Sequence, residues 1–90
     1  MAVVVSDTSP IRALTHLGLL ELLRDLFGQI LVPPAVEAEL KSPPSGLPAA
    51  DVARLLFVHV QAPRDRSRVD YFLQSLDPGE SEALALALEV

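Results

Sequence analysis

The stretch Met1–Ser9, MAVVVSDTS, determines how the rest of this chain is interpreted. Its three consecutive valines are β-branched and apolar, which is typical of a strand buried on both faces of a parallel sheet. Because helical spacing begins soon after, we expect Asp7 at the carboxyl end of a central strand, where α/β sheets collect ligand and catalytic groups. A carboxylate is costly there unless a helix N-terminus, a cation or a metal ion interacts with it. Alternatively, Asp7 or Ser9 only caps the next helix, and this stretch leaves both interpretations open.

Short apolar runs alternate with helical patterns along the remaining sequence. The run Ile30–Val32 predicts a second strand, and the alternating run Phe57–Gln61 predicts a third at a sheet edge. The last segment has leucine and alanine on every side, which predicts a helix buried all round. The repeated order β, α, α favours an α/β fold with a mainly parallel sheet. Helices are predicted over 9–17, 19–27 (with a leucine stripe at 19, 22, 23 and 26), 34–40, 49–56, 64–76 and 77–90, and a loop over 41–48.

Size and composition limit the chain to one small domain. Its 90 residues are 50% hydrophobic with a mean hydropathy of +0.37, more apolar than a lone domain of this size needs. We therefore expect that a partner chain covers part of the surface or that part of the domain lies outside this sequence. The absence of cysteine excludes disulfides and thiolate metal sites. The apolar run 2–5 is too short for a signal peptide or membrane span, so we predict a cytoplasmic protein without membrane contact.

The charge of the chain argues against one mode of nucleic-acid binding and allows another. A net charge of −5 opposes indiscriminate binding, which needs a basic surface. It allows a nuclease whose acidic cluster is neutralised by a divalent metal ion. The one basic cluster consists of Arg64, Arg66 and Arg68. We favour a solvated loop and helix start for it, and the functional alternative is phosphate contact beside an acidic site.

Four carboxylates stand at element ends or beside apolar faces, and each has a structural alternative. Periodicity cannot choose between Glu37 and Glu39, which flank the apolar stripe of their helix about equally. Asp77 and Glu80 have the spacing of a capping box, which would explain Glu80 without function. Glu82 is harder to explain, since its helix has no other charge until Glu89. The four candidates are Asp7, Glu39, Glu80 and Glu82.

Convergence of three or four of these carboxylates would be tolerable only with cations between them, because their charges repel. Oxygen ligands without cysteine point to Mg²⁺ or Mn²⁺ rather than zinc. Carboxylates that hold such ions can polarise a phosphodiester and stabilise its leaving oxygen, which is the chemistry of metal-dependent nucleases.

The segments VVSDTSPIRALTHLGLLELLRDLFGQILVPPAVEAEL and LDPGESEALALALE resemble PIN domains, in the bacterial and archaeal branch related to VapC toxins. Three motifs match in order: strand-Asp-Thr-Ser, Val-Pro-x-x-Val-x-x-Glu-Leu and Gly-Glu-x-Glu-Ala. The resemblance covers nearly all of this chain but only about the first two-thirds of such a domain. It implies a three-layer α/β/α PIN-like fold with a mainly parallel sheet and a metal-dependent ribonuclease activity.

The resemblance also assigns roles to residues. Asp7 would be the first acid, with Ser9 supporting it through its hydroxyl, and Glu39 rather than Glu37 would be the second. Glu80 and Glu82 match an acidic pair, so all four carboxylates are expected as ligands of Mg²⁺ or Mn²⁺. We expect Asp7, Glu39 and Glu82 to be catalytic, and prefer Glu82 to Glu80 because Glu80 has the capping alternative.

Two departures from the family pattern affect the expected function. Arg12 occupies a position where the family usually has an aliphatic residue. The family also continues with a strand that ends in one or two aspartates and with a basic segment, so we expect residues 1–90 to form a single partial PIN-like domain whose activity stays open. The resemblance implies RNA as substrate and a possible toxin role with a cognate antitoxin. The alternative is a non-catalytic PIN-fold remnant that acts as a protein-interaction domain, and for this alternative the apolar composition points to pairing through a sheet edge or helix face, with a homodimer as one possible form.

Overall fold

A computed structural model describes residues 3–43, 46–47 and 49–90, so part of the predicted 41–48 loop lies outside the described residues. Within these ranges, every helix is too short or too polar to cross a membrane. The elements are β1 (Val4–Val5), α1 (Thr8–Leu17), α2 (Glu21–Phe27), β2 (Ile30–Val32), α3 (Pro34–Lys41), a 3-10 turn (Val52–Arg54), β3 (Val58–Val60), α4 (Arg66–Phe72) and α5 (Pro78–Glu89).

The strands form one parallel sheet in the order β1-β2-β3. Ile30 of β2 is in register with Val4 on one side and Val58 on the other. The prediction of an α/β fold with a parallel sheet is confirmed, and the five described helices agree with the expected α/β/α arrangement. The position of β3 at a sheet edge is confirmed as well.

The prediction that the first strand is central and buried on both faces is wrong for the described sheet. β1 lies at its edge, with β2 as its strand neighbour, and β2 is the central strand. Both residues of β1 are half-buried, and Val3 before them is 58% exposed. The valine run specifies a strand, but burial depends on how many neighbours pair with it, which local sequence does not encode.

The main core lies between β2, β3 and the helices α1, α2 and α3. Apolar side chains with the spacing of an amphipathic helix project from α1 and α3 onto the sheet. The buried members of this core are Ile11, Leu23, Ile30, Val32, Val36, Leu40, Ala50, Val52, Phe57 and Val58. This packing places α1 and α3 in contact with each other, and each of these helices begins just after the carboxyl end of a strand.

Three predicted helices are shorter than their sequence patterns. The helix predicted over 64–76 spans Arg66–Phe72. Gly18, with φ of 71°, ends α1, and the Leu19 N–H bonds back to the Leu14 carbonyl, so residues 19 and 20 belong to the turn and α2 begins at Glu21. Of the predicted leucine stripe only Leu23 is buried; Leu19, Leu22 and Leu26 are exposed. The helix predicted over 49–56 is a single 3-10 turn.

The prediction that the last helix is buried all round is also wrong. Ala85 and Leu86 of α5 are fully buried, whereas Leu84 and Leu88 are 42% and 57% exposed. α5 packs on α3, α4 and β1. Leu84 lines an open groove together with residues of β1 and α2, and Leu88 is exposed, so this side of the helix is only partly covered.

Glu89 at the end of α5 fixes the start of α4. Its carboxylate accepts hydrogen bonds from the backbone N–H of Arg64 (2.8 and 2.9 Å) and of Asp65 (3.0 Å). Asp65 in turn caps α4 by accepting from the Arg68 N–H at 3.1 Å. The hydrogen bonds from Arg64 and Asp65 lower the pKa of the Glu89 carboxyl below its ordinary value.

Two leucines of α5 test the one-sided packing of this helix. We expect Leu86→Ala to reduce the free energy of unfolding by about 2–5 kcal/mol, because it empties a fully buried site. The matched change Leu88→Ala should alter it by less than about 0.5 kcal/mol, because that side chain is mostly exposed. Urea unfolding of both variants measures the difference, and equal losses would contradict this packing.

The lowered pKa of Glu89 predicts an acid-sensitive contribution to stability. A carboxyl whose pKa is lower in the folded chain stabilises it above the ordinary value of 4.5 and loses this effect as the pH falls through the folded pKa. We expect Glu89→Gln to lower the Tm at neutral pH and to reduce the further fall in Tm on acidification. Glu21→Gln, on the exposed face of α2, is the control; an unchanged acid profile for Glu89→Gln would refute the contribution.

Candidate functional site

A polar pocket of about 270 Å³ lies at the carboxyl end of β1. One wall is the junction of β1 and α1, and the other walls come from α3 and from the N-terminus of α5. The pocket brings together three of the four predicted acids, although they are far apart in the sequence. Its lining residues are Asp7, Thr8, Ser9, Arg12, Glu39, Asp77 and Glu80.

Asp7 occupies the N-cap position of α1 without acting as a cap through its side chain. Its backbone is extended, with φ of −92° and ψ of −168°, and its carboxylate makes no capping hydrogen bond. Asp7 therefore occupies the N-cap position, as one of the two predictions has it, but its side chain does not cap the helix. The carboxylate lies at the pocket wall, where it can interact with a cation.

Glu39 is the residue that joins the pocket walls. Its carboxylate accepts hydrogen bonds from the Thr8 hydroxyl of α1 and, at 3.2 Å, from the Gly79 N–H of α5. Glu37 instead forms an ion pair with Lys41, one turn along the same helix, at 3.7 Å. The structure therefore separates two glutamates that periodicity could not distinguish.

Gly79 permits the close approach of α5 to Glu39. A Cβ at this position would lie 2.7 Å from Oε1 of Glu39 and 2.9 Å from Oε2, both too short for a van der Waals contact. The Gly79 N–H also belongs to the first turn of α5, whose unpaired N–H groups favour a negative charge. Sequence analysis missed Thr8 and Gly79 as partners of Glu39; a glycine directly after the first proline of a helix was the available signal.

Asp77 and Glu80 share the pocket rim at the start of α5. The Asp77 carboxylate caps the helix by accepting from the Glu80 N–H at 2.8 Å, which confirms this part of the capping pattern. The hydrogen bond between the Asp77 and Glu80 side chains and the charge of Asp77 raise the pKa of the Glu80 carboxyl, and the charge of Asp7 contributes to the rise. The pocket thus concentrates negative charge.

Glu82 lies outside the lining of this pocket. Its carboxylate accepts a hydrogen bond from the Ala35 N–H at 3.0 Å, in the first turn of α3, and contacts Nη1 of Arg66 at 3.4 Å. These contacts give Glu82 a structural role, because they satisfy a free backbone donor at a helix start. Its predicted catalytic role stays a prediction.

Ser9 and the three arginines of the basic cluster are the other residues predicted to support the site. Ser9 is exposed and lines the pocket, while the hydroxyl that contacts a pocket carboxylate belongs to Thr8. The described lining includes none of the three arginines of the basic cluster, and one of them, Arg66, pairs with Glu82. Phosphate contact by Arg64, Arg66 or Arg68 stays a prediction.

The donor chemistry of the pocket fits a hard divalent cation. Carboxylate oxygens of Asp7, Glu39 and Glu80 are the ligand type that Mg²⁺ and Mn²⁺ prefer. In residues 3–43, 46–47 and 49–90, however, no three acidic or histidine side chains come together in a group that could hold a metal ion. The Glu39 carboxylate is engaged by Thr8 and Gly79, so its oxygens serve protein donors in this arrangement.

The family model of DUF3368, a PIN domain, matches residues 3–90. Neither the curated proteins nor the solved structures gave a significant match. The matched range contains every residue that lines the pocket.

A double-mutant cycle tests the contact between Glu39 and Gly79. Gly79→Ala improves helix propensity by up to about 1 kcal/mol but displaces the Glu39 carboxylate. We therefore expect Gly79→Ala to be more favourable in a Glu39→Ala background than in the parent chain, with a coupling of about 0.5–3 kcal/mol. Urea unfolding of the four proteins measures it, with Glu37→Ala as the control background; additive effects would contradict the contact.

Proposed function

The chain belongs to the PIN domain family, and from this premise we propose that it is a metal-dependent ribonuclease that hydrolyses phosphodiester bonds of RNA. PIN domains have a nuclease-like fold and generally use divalent metal. The observation that supports the proposal best is the shared pocket of Asp7, Glu39 and Glu80 at the carboxyl end of β1. Such a concentration of carboxylates is suited to a divalent cation and unsuited to an unassisted anionic substrate.

In this proposal, Asp7, Glu39 and Glu80 would hold Mg²⁺ or Mn²⁺ once their side chains move closer together, since the described residues form no such group in this structure. A bound ion supplies a Lewis acid for the phosphodiester and charge to stabilise the leaving oxygen. Asp7 is suited to the role because its side chain is not used as a helix cap. Thr8 and Gly79 orient Glu39 from opposite walls. Glu82 supports the site through the start of α3.

The biological role that we propose for the chain is that of a toxin. The resemblance to the branch that contains VapC toxins supports a toxin of a toxin–antitoxin pair, with RNA as the substrate and a cognate antitoxin as the partner. An antitoxin would have to prevent access of RNA to the pocket at the carboxyl end of β1.

An alternative function draws support from a different observation. Large apolar side chains remain exposed on α2 and α5, among them Leu26 (71%) and Leu88 (57%). Exposed apolar surface of this kind favours a protein-interaction domain that has the fold without the chemistry. In that case RNA would not be cleaved under any metal condition.

Metal binding and RNA cleavage together test the ribonuclease proposal. We expect Mn²⁺ to raise the Tm, because an ion that binds only the folded chain stabilises it by about 2.7 kcal/mol at a concentration of 100 times the Kd. A labelled single-stranded RNA should be cleaved with Mn²⁺ or Mg²⁺ and stay intact with EDTA. Asp7→Asn and Glu39→Gln should reduce the cleavage rate by about 10²-fold or more, as does removal of other electrostatic stabilisers.

Glu37→Gln is the matched control, because it makes the same chemical change two positions away from Glu39 at a residue that pairs with Lys41. It should cleave RNA at the parent rate. Circular dichroism of each variant separates loss of activity from loss of fold. A folded chain that shows neither a Tm shift nor cleavage would refute the proposal and favour the interaction domain.

A further inference from the structure

Arg12 contributes a positive charge to a pocket that is otherwise acidic. It lies on α1, and its Nη2 donates a hydrogen bond to the backbone carbonyl of Glu39 at 2.9 Å. Among the described residues that line the pocket it is the sole basic side chain, beside four carboxylates. An anion that enters the pocket would therefore find its favourable charge at Arg12.

The Arg12 guanidinium is near these carboxylates without pairing with them. Within the described part of the chain, ion pairs at 4.0 Å or less involve other arginines and a lysine, and none includes Arg12. An arginine whose role was to neutralise the acids would be expected to bind one of them through a bidentate contact. The hydrogen bond to the neutral Glu39 carbonyl leaves the guanidinium without a carboxylate in direct contact among the described residues.

The burial of Arg12 indicates that the side chain is positioned at a cost. Its Nε–H is buried and has no hydrogen-bond acceptor among the described residues. A buried donor without a partner costs about 1–3 kcal/mol. The contacts of Arg12 within the chain thus do not explain its placement by stability alone. Because the Nε–H is closed to solvent, a ligand at the pocket would accept hydrogen bonds from the Nη groups of the guanidinium.

We propose that Arg12 binds a phosphate of the RNA substrate at this pocket, as a substrate-binding residue next to the metal ligands. The inference rests on the proposed ribonuclease function and adds a residue to it. The planar guanidinium is held at one end by the hydrogen bond from Nη2 to the Glu39 carbonyl. In this proposal, N–H groups of Nη1 and Nη2 donate to a phosphate oxygen, a ligand that the planar guanidinium favours. It also offsets part of the repulsion between the carboxylates and the RNA backbone.

The salt dependence of RNA binding tests Arg12 separately from cleavage. The probe is a fluorescein-labelled single-stranded RNA, measured by anisotropy over a series of salt concentrations at a fixed concentration of Ca²⁺, so that a divalent cation compensates the carboxylates while the RNA binds. Loss of one phosphate contact should make the slope of log K against log salt shallower by about 0.7 for Arg12→Gln. Arg12→Lys should retain the slope, because it preserves the charge. Arg24→Gln, which removes an exposed arginine paired with Asp25 on α2, is the control and should leave the slope unchanged.

Steady-state cleavage with Mn²⁺ provides the second readout. Arg12→Gln should raise KM about 10-fold with little change in kcat, the loss expected for a hydrogen bond to a charged group. The Mn²⁺-induced Tm shift should persist, since Arg12 is not a ligand. Cleavage by the parent chain with the slope and KM unchanged in Arg12→Gln would overturn the role of Arg12 alone. A shallower slope without any cleavage would support Arg12 and overturn the proposed reaction, whereas failure of the parent chain to bind the RNA would overturn the inference.

Discussion

The arrangement of the pocket depends on one carboxylate. Glu39 accepts hydrogen bonds from Thr8 and Gly79, which lie 31 and 40 residues away in the sequence, and thereby connects α1, α3 and α5 at the carboxyl end of β1. The contact requires a residue without a Cβ at position 79, because the carboxylate occupies that space. A negative charge at the start of α5 is also favoured by the free N–H groups of the helix. Sterics and electrostatics thus act together at this point.

The carboxylates of the chain fall into two groups according to their partners. Glu82 and Glu89 bind backbone N–H groups at the starts of α3 and α4, so their charges stabilise helix ends. Asp7, which occupies a cap position itself, makes no such bond and lines the pocket. Glu39 also accepts a hydrogen bond from a backbone N–H, that of Gly79, but it does so at the wall of the pocket. The shared pocket, rather than the row of acids in the sequence, therefore defines the candidate site.

Charge in the pocket has to be compensated before RNA can approach it. The pKa of the Glu80 carboxyl is raised, because the side chain of Asp77 and the charge of Asp7 are near it. A divalent cation and the guanidinium of Arg12 are the two sources of positive charge that the proposed function uses. The overall charge of −5 has the same consequence on a larger scale, since it opposes the unassisted approach of an anionic RNA to the chain as a whole.

The sequence by itself determined the alternation of strands and helices, the glycine stops and the acidic character of the site, because valine runs, leucine periodicity and Gly18 act through local backbone preferences. It also identified Asp7, Glu39 and Glu80 as candidates that the structure brings to one pocket. Only the tertiary structure decided that β1 is an edge strand, that Leu84 and Leu88 of α5 stay exposed, and that Thr8 and Gly79 bind the Glu39 carboxylate. These outcomes depend on which elements pack against each other, and residues far apart in the chain determine that packing.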